Sequence, residues 1–307
     1  MAKNKSFFRS TGEQRNLRFG EVSIDILTDI LFSLNNKNKS NLESSSDLCG
    51  FLKETRIVEC VFLLCEDLGL NLAVAFHAIE ILERFTTRHI EDLFHQQNDP
   101  SIENTRPYED LIFQTLKKKF FLFVFSSVQI ASKLDLYSSA VNNDAAMRFL
   151  QRVSYPVSKQ QLLDSEIFIL KTLKFRLNVL NPVTYTETLL EVLGHNNASV
   201  PVEQLHPQCV LVLQFLYLQR EAIYHSLLVV ATGCPCPSQE QKDKFVSVMQ
   251  DFMLLGVGVI AVAAFIHQPS TWDKVVEELT EITGISGQSI MDFAYVTLMH
   301  ITGSKPK

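Results

Sequence analysis

The sequence is poor in proline and has no repetitive or low-complexity stretch. Only 10 of its 307 residues are proline, whereas 46% are hydrophobic and 20% are charged. A chain of this composition can bury a large core, because it carries enough apolar surface to offset the entropy lost on folding. We therefore expect an ordered globular protein with one large domain or two smaller ones.

Signals for export and membrane insertion are also missing. The first 20 residues are polar and basic and lack the apolar core of a secretory signal. The most apolar stretch, Met253 to Ile266, covers about 14 residues, whereas a helix that spans a bilayer needs ~20. The six cysteines follow neither a disulfide framework nor a zinc-ligand spacing. We expect a protein of a reducing compartment, the nucleus or the cytoplasm, without a membrane span.

The chain has no excess of positive charge. Its formal net charge is -6, and its isoelectric point is near 5.8. This balance argues against a protein whose main task is to bind phosphate backbones or anionic lipid. The basic residues of the first 20 positions could bind nucleic acid or act as a nuclear signal, and a solubilising terminus is the simpler interpretation. Direct binding to nucleic acid is not expected.

Sequence signatures of catalysis are absent. The chain contains no phosphate-binding P-loop, no His-Glu-x-x-His and no Gly-x-Ser-x-Gly. Gly256 to Ala261 matches a loose dinucleotide fingerprint, but it lies in an apolar helical run without a preceding strand, so it predicts close helix packing instead. Cys234-Pro-Cys236 fits neither a redox motif nor a zinc knuckle. We expect a non-enzymatic protein with no catalytic residue, no cofactor and no metal.

What the sequence does contain is helical periodicity. Apolar residues recur every three or four positions along most of the chain, and no stretch alternates strictly as a strand would. This pattern predicts an all-α protein with an N-terminal helix at Val22 to Leu34. Two sets of about five helical segments follow, divided at Asn178 to Pro182, and the most apolar segment of each set lies near its middle.

These divisions predict four parts of the chain. The basic tail, helix and polar linker occupy residues 1–47, the first helical unit 48–180, the second unit 181–303 and a short tail 304–307. The polar stretch His95 to Glu109 contains two prolines and predicts an exposed loop insertion near residues 95–110. In the second unit, the expected segments are Tyr185–Leu193, His206–Val230, Lys244–Ile266, Trp272–Ile282 and Ser286–Ile301.

Four motifs occur in the order and spacing of the helices of one known family. They are IEILERF at 79–85, SVQIASKLD at 127–135, LDSEIFILKTLKFRL at 163–177 and NPVT at 181–184. This series resembles a cyclin box, and residues 253–266 and 272–300 resemble a weaker second cyclin fold. The resemblance covers about residues 47 to 302 and implies two tandem five-helix cyclin folds behind the N-terminal helix. Residues 80–85, 186–194, 251–266 and 282–285 further resemble a meiotic family of cyclin-fold proteins.

The resemblance also assigns a kinase-type surface. In cyclins, a lysine at the end of the third helix and a glutamate in the fifth contact a cyclin-dependent kinase, and these positions match Lys133 and Glu166. Asp135 is what remains of an acidic pair that usually follows the lysine. The alternative interpretation is a Lys133–Glu166 salt bridge that only joins two helices, because a charge on an apolar helix needs an opposite charge.

A peptide-docking groove is the second site that the resemblance implies. Arg56 is retained from the family's docking motif, and Phe62 stands where tryptophan is common. Phe120 and Phe121 would form the floor of the groove if they were exposed, and core packing is the alternative. The candidate groove residues are Arg56, Val58, Glu59, Phe62, Phe120 and Phe121.

The function that the resemblance implies is that of a non-catalytic regulator or scaffold in meiotic recombination. Such a protein would promote crossover formation and maturation by recruiting protein partners on meiotic chromosomes in the nucleus. The alternative is a regulatory subunit that binds and activates a cyclin-dependent kinase in cell-cycle control. Expected partners are a cyclin-dependent kinase, recombination or clamp-loading factors, or ubiquitin-pathway enzymes. A DNA-bound fold like that of transcription factor IIB is disfavoured by the acidic net charge.

Overall fold

The computed structural model describes residues 19–43, 53–97, 105–135 and 140–304, with only the backbone for 94–97 and 105–117. These ranges contain thirteen α-helices, one short 3-10 helix and no strand, so the predicted all-α class is confirmed. Residues 1–18 of the basic tail and 44–47 of the polar linker lie outside the described residues. Residues 35–43 were expected to form a linker, but they continue the N-terminal helix, because the buried Asn38 among them bonds to Asp251 and Phe252. The helices are α1 (Ile24–Glu43), α2 (Thr55–Asp67), α3 (Leu72–Gln97), α4 (Thr105–Leu134), α5 (Asn143–Arg152), α6 (Lys159–Thr172), α7 (Pro182–Asn196), α8 (Val202–Leu218), α9 (Arg220–Thr232), α10 (Gln239–Met249), α11 (Phe252–His267), α12 (Trp272–Thr283) and α13 (Gly287–Ile301).

The first half of the molecule, α2 to α6, is organised around α4. Every residue of α4 from 122 to 132 is buried, and the helix packs against α2, α3 and α6. Small residues permit this close approach, since the Ser126 hydroxyl donates to the Ser165 hydroxyl of α6 at 2.9 Å. The most apolar segment of this half is thus its central helix, and the side chains of Ser158 and Gln161 form a capping box that begins α6.

The predicted excursion between α3 and α4 is shorter than the sequence indicates. The polar segment was expected to be non-helical from His95 to Glu109, whereas α3 continues to Gln97 and α4 begins at Thr105. Pro107 lies in the first turn of α4, where the N–H that proline lacks would have no helical partner. Proline is therefore compatible with this helix. The residues between the two helices, 98–104, lie outside the described ranges.

The second half is organised around α11, which packs against α7, α8, α12 and α13. Its residues from 252 to 264 are buried, except that Leu254 is partly exposed. A Cβ atom on Gly256 would lie 2.9 Å from Leu189 Cδ1, and one on Gly258 would lie 2.2 Å from Phe293 Cδ1. The glycines thus provide close helix packing, as predicted from their place in an apolar run.

The second half contains seven helices, so the expected number of five was too low. The long pattern at 206–230 is divided at Gln219, and the pattern at 244–266 is divided at residues 250 and 251. Asp251 caps α11 by accepting hydrogen bonds from the Met253 and Leu254 amides at 2.9 and 3.0 Å. Among the described helices, none is by itself long and apolar enough to cross a membrane; α10 and α11 meet that test only together and are bent by 76°. The tandem arrangement of two equivalent folds stays a prediction.

Helix α1 packs against the second half of the molecule. The buried Asn38 amide donates to Asp251 Oδ1 at 2.9 Å, and its Oδ1 accepts the Phe252 amide at 2.9 Å. The Tyr185 hydroxyl of α7 donates to the Leu34 carbonyl at 2.9 Å. The N-terminal helix is thus joined to the helices that follow residue 181, although the first helical unit lies between them in sequence.

Candidate protein-binding surface

The structure brings Lys133 and Glu166 together as an ion pair between Lys133 Nζ and Glu166 Oε1. Lys133 lies in the last turn of α4, where a cation is favourable, and Glu166 lies in the middle of α6. The Lys133 side chain is 38% exposed and that of Glu166 is 11% exposed. The pair therefore joins two helices and also leaves part of the lysine accessible to a partner.

A stripe of apolar side chains lies beside this ion pair on α6. Leu163, Ile167 and Leu170 are spaced by four and three residues, so they share one side of the helix. Ile167 is exposed and the two leucines are partly exposed. We call Lys133, Leu163, Glu166, Ile167 and Leu170 the Lys133 surface. An apolar stripe with a charged edge is the composition of a protein-binding surface.

Asp135, the third predicted residue of this surface, stabilises a turn of the protein itself. Its Oδ2 accepts a hydrogen bond from Asn71 Nδ2 at 2.8 Å. Asn71 Oδ1 in turn accepts the Val74 amide at 2.9 Å, which caps the start of α3. The carboxylate of Asp135 therefore fixes the connection between α2 and α3.

The predicted docking groove is not formed as one surface. Val58 and Phe62 are buried, and the Phe62 ring packs edge-on against Phe76 at 5.4 Å. Arg56 and Glu59 are exposed on the other side of α2. The apolar stripe of α2 faces the core, because that arrangement removes its side chains from water. Val58 and Phe62 are consequently inaccessible to a peptide.

Phe120 and Phe121 adopt the core packing that was the alternative prediction. Both are half-buried and pack against the hydrophobic core. The ring of Phe121 lies 5.0 Å from that of Tyr155, which follows α5. These two phenylalanines hold α4 in place and do not form an exposed aromatic floor.

Comparison with known proteins places the chain in a family. No protein-family model matches the sequence. Mouse cyclin N-terminal domain-containing protein 1 is 40% identical over 295 residues, which are 94% of this chain and 87% of the mouse protein. The human protein of the same name is 41% identical over 291 residues, 94% of this chain and 88% of the human protein. This chain belongs to the cyclin N-terminal domain-containing protein 1 family. The cyclin resemblance of the sequence is thereby confirmed.

This member of the cyclin N-terminal domain-containing protein 1 family also contains a buried polar network that the sequence analysis missed. Lys53 Nζ lies 2.9 Å from Glu80 Oε2, and the two side chains are 1% and 9% exposed. The Tyr217 hydroxyl donates to Glu80 Oε1 at 2.7 Å. Burial and then the nearby Glu80 charge raise the pKa of Tyr217, so the hydroxyl keeps its proton.

The network joins the two halves, because Glu80 lies on α3 and Tyr217 on α8. A signal for it was present in the sequence. Glu80 follows Ile79 within an apolar run, and a charge at such a position requires a partner.

Within the described ranges of this family member, no metal-binding cluster is assembled, and two buried thiols are held in the protonated form. No set of three or more histidine, cysteine, aspartate or glutamate side chains is placed there to hold a metal ion. Burial raises the pKa of the Cys65 thiol to about 12 and also raises that of Cys209. Both thiols therefore stay protonated at neutral pH.

Proposed function

We propose that this protein is a non-catalytic, cyclin-like regulator of meiotic recombination that promotes crossover formation and maturation by recruiting protein partners. The observation that carries the proposal is the Lys133 surface, in which a partly exposed ion pair borders an exposed apolar stripe. The sequence resemblance to a meiotic family supports the process. The proposed location is the nucleus, on meiotic chromosomes, as well as the cytoplasm.

The Lys133 surface offers both an apolar stripe and free N–H donors to a partner protein. A groove on the partner can accommodate Leu163, Ile167 and Leu170, because residues at this spacing project from one side of a helix. Lys133 carries three N–H donors, of which Glu166 uses one. When a partner excludes water, the remaining donors interact more strongly with an acceptor on its surface.

Two features favour recruitment over kinase activation. Asp135 is engaged with Asn71, and the docking groove of Val58 and Phe62 is closed by core packing. The protein thus keeps the ion pair of a cyclin box while two neighbouring recognition elements serve the fold. The proposed partners are recombination or clamp-loading factors or ubiquitin-pathway enzymes.

A second candidate function is that of a subunit which binds and activates a cyclin-dependent kinase in cell-cycle control. The retained ion pair of Lys133 and Glu166 favours it, because those are the positions that the cyclin resemblance assigns to kinase binding. The two functions differ in whether a kinase is present in the assembly and becomes active.

The test is affinity purification of the tagged full-length protein from testis, followed by mass spectrometry and a kinase assay. Four variants are compared with the unmodified protein: Lys133→Glu, Glu166→Lys, the double exchange of both, and Lys159→Glu. The double exchange restores the attraction between the helices with the charges reversed. Lys159→Glu is a matched control, since Lys159 is 60% exposed on the same helix as Glu166.

Recruitment through the Lys133 surface predicts that recombination factors are lost with Lys133→Glu and with the double exchange but retained with Lys159→Glu. The double exchange should recover the melting temperature without recovering the partners. Co-purification of an active cyclin-dependent kinase would support the alternative function. Retention of all partners by folded Lys133→Glu and double-exchange proteins would show that this surface is the wrong one, and absence of recombination factors from the unmodified protein would reject the proposed process.

A further inference from the structure

A cleft lies where the two halves meet, separate from the Lys133 surface. Its volume is about 480 Å³, and residues of α1, α3, the segment after α6, and the junction of α10 and α11 line it. The lining combines apolar side chains with more basic than acidic ones. The apolar members are Leu173, Val179, Leu180 and Phe252, and the basic members are Lys37, Arg84, Arg88, Lys174 and Arg176.

The acidic residues of the cleft are already engaged by other groups. Glu80 pairs with Lys53 at 2.9 Å. Glu91 pairs with Arg88 at 3.8 Å, within the same helix. Glu83 is buried and also has an interaction partner. With five basic and three acidic residues in its lining, the cleft has an excess of positive charge.

Arg84 and Arg176 are the two guanidinium groups of the cleft that no ion pair neutralises within the described part of the chain. Arg84 and Arg176 line the same cleft, and desolvation and then the positive charge of Arg176 lower the pKa of Arg84. Both remain charged, because a guanidinium does not deprotonate near neutral pH. Two neighbouring guanidinium groups are stabilised by an anion that accepts hydrogen bonds from both.

The backbone after α6 presents two of the basic side chains of the cleft in a strained conformation. Lys174 and Phe175 adopt φ angles of 51° and 58°, in the left-handed region that favours glycine. The turn is closed by the Lys174 and Phe175 amides, which donate to Lys171 and Leu170 carbonyls at 2.9 and 2.8 Å. Such strain persists at sites where the surrounding structure requires it, and here it places Lys174 and Arg176 on the cleft.

Gln250 supplies an independent indication of a ligand. It lines the cleft, is only 6% exposed, and its Nε2 has no hydrogen-bond partner within the described residues. A buried amide donor without an acceptor is uncommon in folded proteins, because its lost hydration is not replaced. Because Nε2 itself lies beneath the surface, a rotation of the Gln250 side chain would bring this donor to an oxygen atom of a bound molecule.

We propose that the cleft binds a phosphorylated serine or threonine within a segment of a partner protein. A phosphate group offers three strong acceptor oxygens, which suit the paired guanidinium groups and the Gln250 amide. The apolar lining suits the side chains that flank the phosphorylated residue, and the volume lies in the range of sites for molecules larger than a phosphate ion. Free phosphate would engage the same cations but leave the apolar lining unused.

The test measures binding of the full-length protein to immobilised nine-residue peptide libraries that are randomised around a fixed phosphoserine or phosphothreonine. There are two controls. Matched libraries carry unphosphorylated serine or threonine, and inorganic phosphate or sulfate is added as a competitor. Binding to the phosphorylated libraries should be at least about tenfold stronger than to the matched ones. Inorganic phosphate should compete only at concentrations far above those of the selected phosphopeptides.

The double variant Arg84→Glu/Arg176→Glu should lose this preference. The control Arg148→Glu/Lys242→Glu makes the same change of net charge at exposed positions of α5 and α10 and should retain it. Circular dichroism melting reports whether each variant folds. If the double variant does not fold, Gln250→Leu takes its place, because it removes only the unpartnered amide. This variant should weaken phosphopeptide binding about tenfold. Three results would overturn the proposal. The unphosphorylated libraries could bind equally well, inorganic phosphate could bind as tightly as any phosphopeptide, or the folded variants could bind as the unmodified protein does.

Discussion

At the residue scale, the surroundings of the two glycines of α11 show how tightly the second half is packed. A Cβ on Gly258 would overlap the ring of Phe293, a buried side chain of α13, at 2.2 Å. A Cβ on Gly256 would instead meet the end of the Leu189 side chain at 2.9 Å, and that atom can move with a change of rotamer.

Gly258→Ala is expected to lower the free energy of unfolding by about 1–3 kcal/mol, because overpacking outweighs the gain of about 1 kcal/mol in helix propensity. Gly256→Ala should cost less or be neutral. Urea unfolding of both variants checks the order. A larger loss for Gly256→Ala than for Gly258→Ala would contradict this account of the packing.

The stability of the fold is expected to depend on pH through one histidine, His77. Burial lowers the pKa of His77, although its contact with the Leu177 carbonyl and the charges of Glu80 and Asp135 act in the opposite direction. The unfolded chain therefore takes up this proton more readily than the folded one. The contribution of His77 is fully favourable above its ordinary pKa of about 6.5 and is lost as the pH falls below that value.

His77→Gln should reduce the loss of stability between pH 7.5 and pH 5.5 while keeping a donor for the Leu177 carbonyl, which the ring nitrogen contacts at 3.3 Å. His195→Gln, at an exposed position, serves as the control. Urea unfolding at several pH values gives the slopes. If His77→Gln and the unmodified protein lose stability in parallel, His77 is not the responsible group.

At the scale of elements, helix starts with a local signal could be predicted and breaks without one could not. Ser158 and Gln161 mark the start of α6, and the structure forms that capping box. Gln219 divides α8 from α9 without a glycine or proline, and the buried Arg220 beside it donates to the Met249 carbonyl at the end of α10. Such a tertiary contact has no signature in the local pattern. Asp251 before an apolar run was a readable capping signal for α11.

The contact of α1 with α11 can be removed at one residue. Asn38→Ala removes one of the hydrogen bonds to Asp251 and leaves the Phe252 amide without its partner, so we expect a loss of about 1–3 kcal/mol in the free energy of unfolding. Hydrogen exchange should become faster in α1 and in the first turn of α11. Asn36→Ala, at an exposed position of α1, should change neither. Uniform faster exchange throughout the protein would argue against a local role.

At the scale of the whole molecule, part of the candidate surface followed from the sequence and part depended on distant contacts. The spacing of the cyclin motifs located Lys133 and Glu166, which the structure pairs. The partner of Asp135 is Asn71, 64 residues earlier in the chain, so its structural use could not be seen locally. The same is true of the link between Glu80 and Tyr217, which are 137 residues apart.

That link should make the two halves depend on each other. Lys53→Met leaves the Glu80 charge buried without its cation, and we expect a loss of about 3–5 kcal/mol. Lys53→Met combined with Glu80→Leu should cost clearly less than the sum of the two single changes, because no charge then remains buried. A double-mutant cycle by urea unfolding measures the coupling. Additive losses would show that the pair contributes no interaction of its own.

The hydrogen bonds of Asn38 also bear on the order in which the growing chain folds. Its partner Asp251 lies 213 residues further along the chain. A ribosome that adds about 5–20 residues per second needs roughly 10–40 s to cover that interval. Leu34 on the same face of α1 can meet Tyr185 of α7 earlier, whereas Asn38 has no partner until α11 is made and stays accessible to chaperones until then. Docking of α1 is consequently completed late, and a chain that stops before α11 lacks the hydrogen bonds of Asn38.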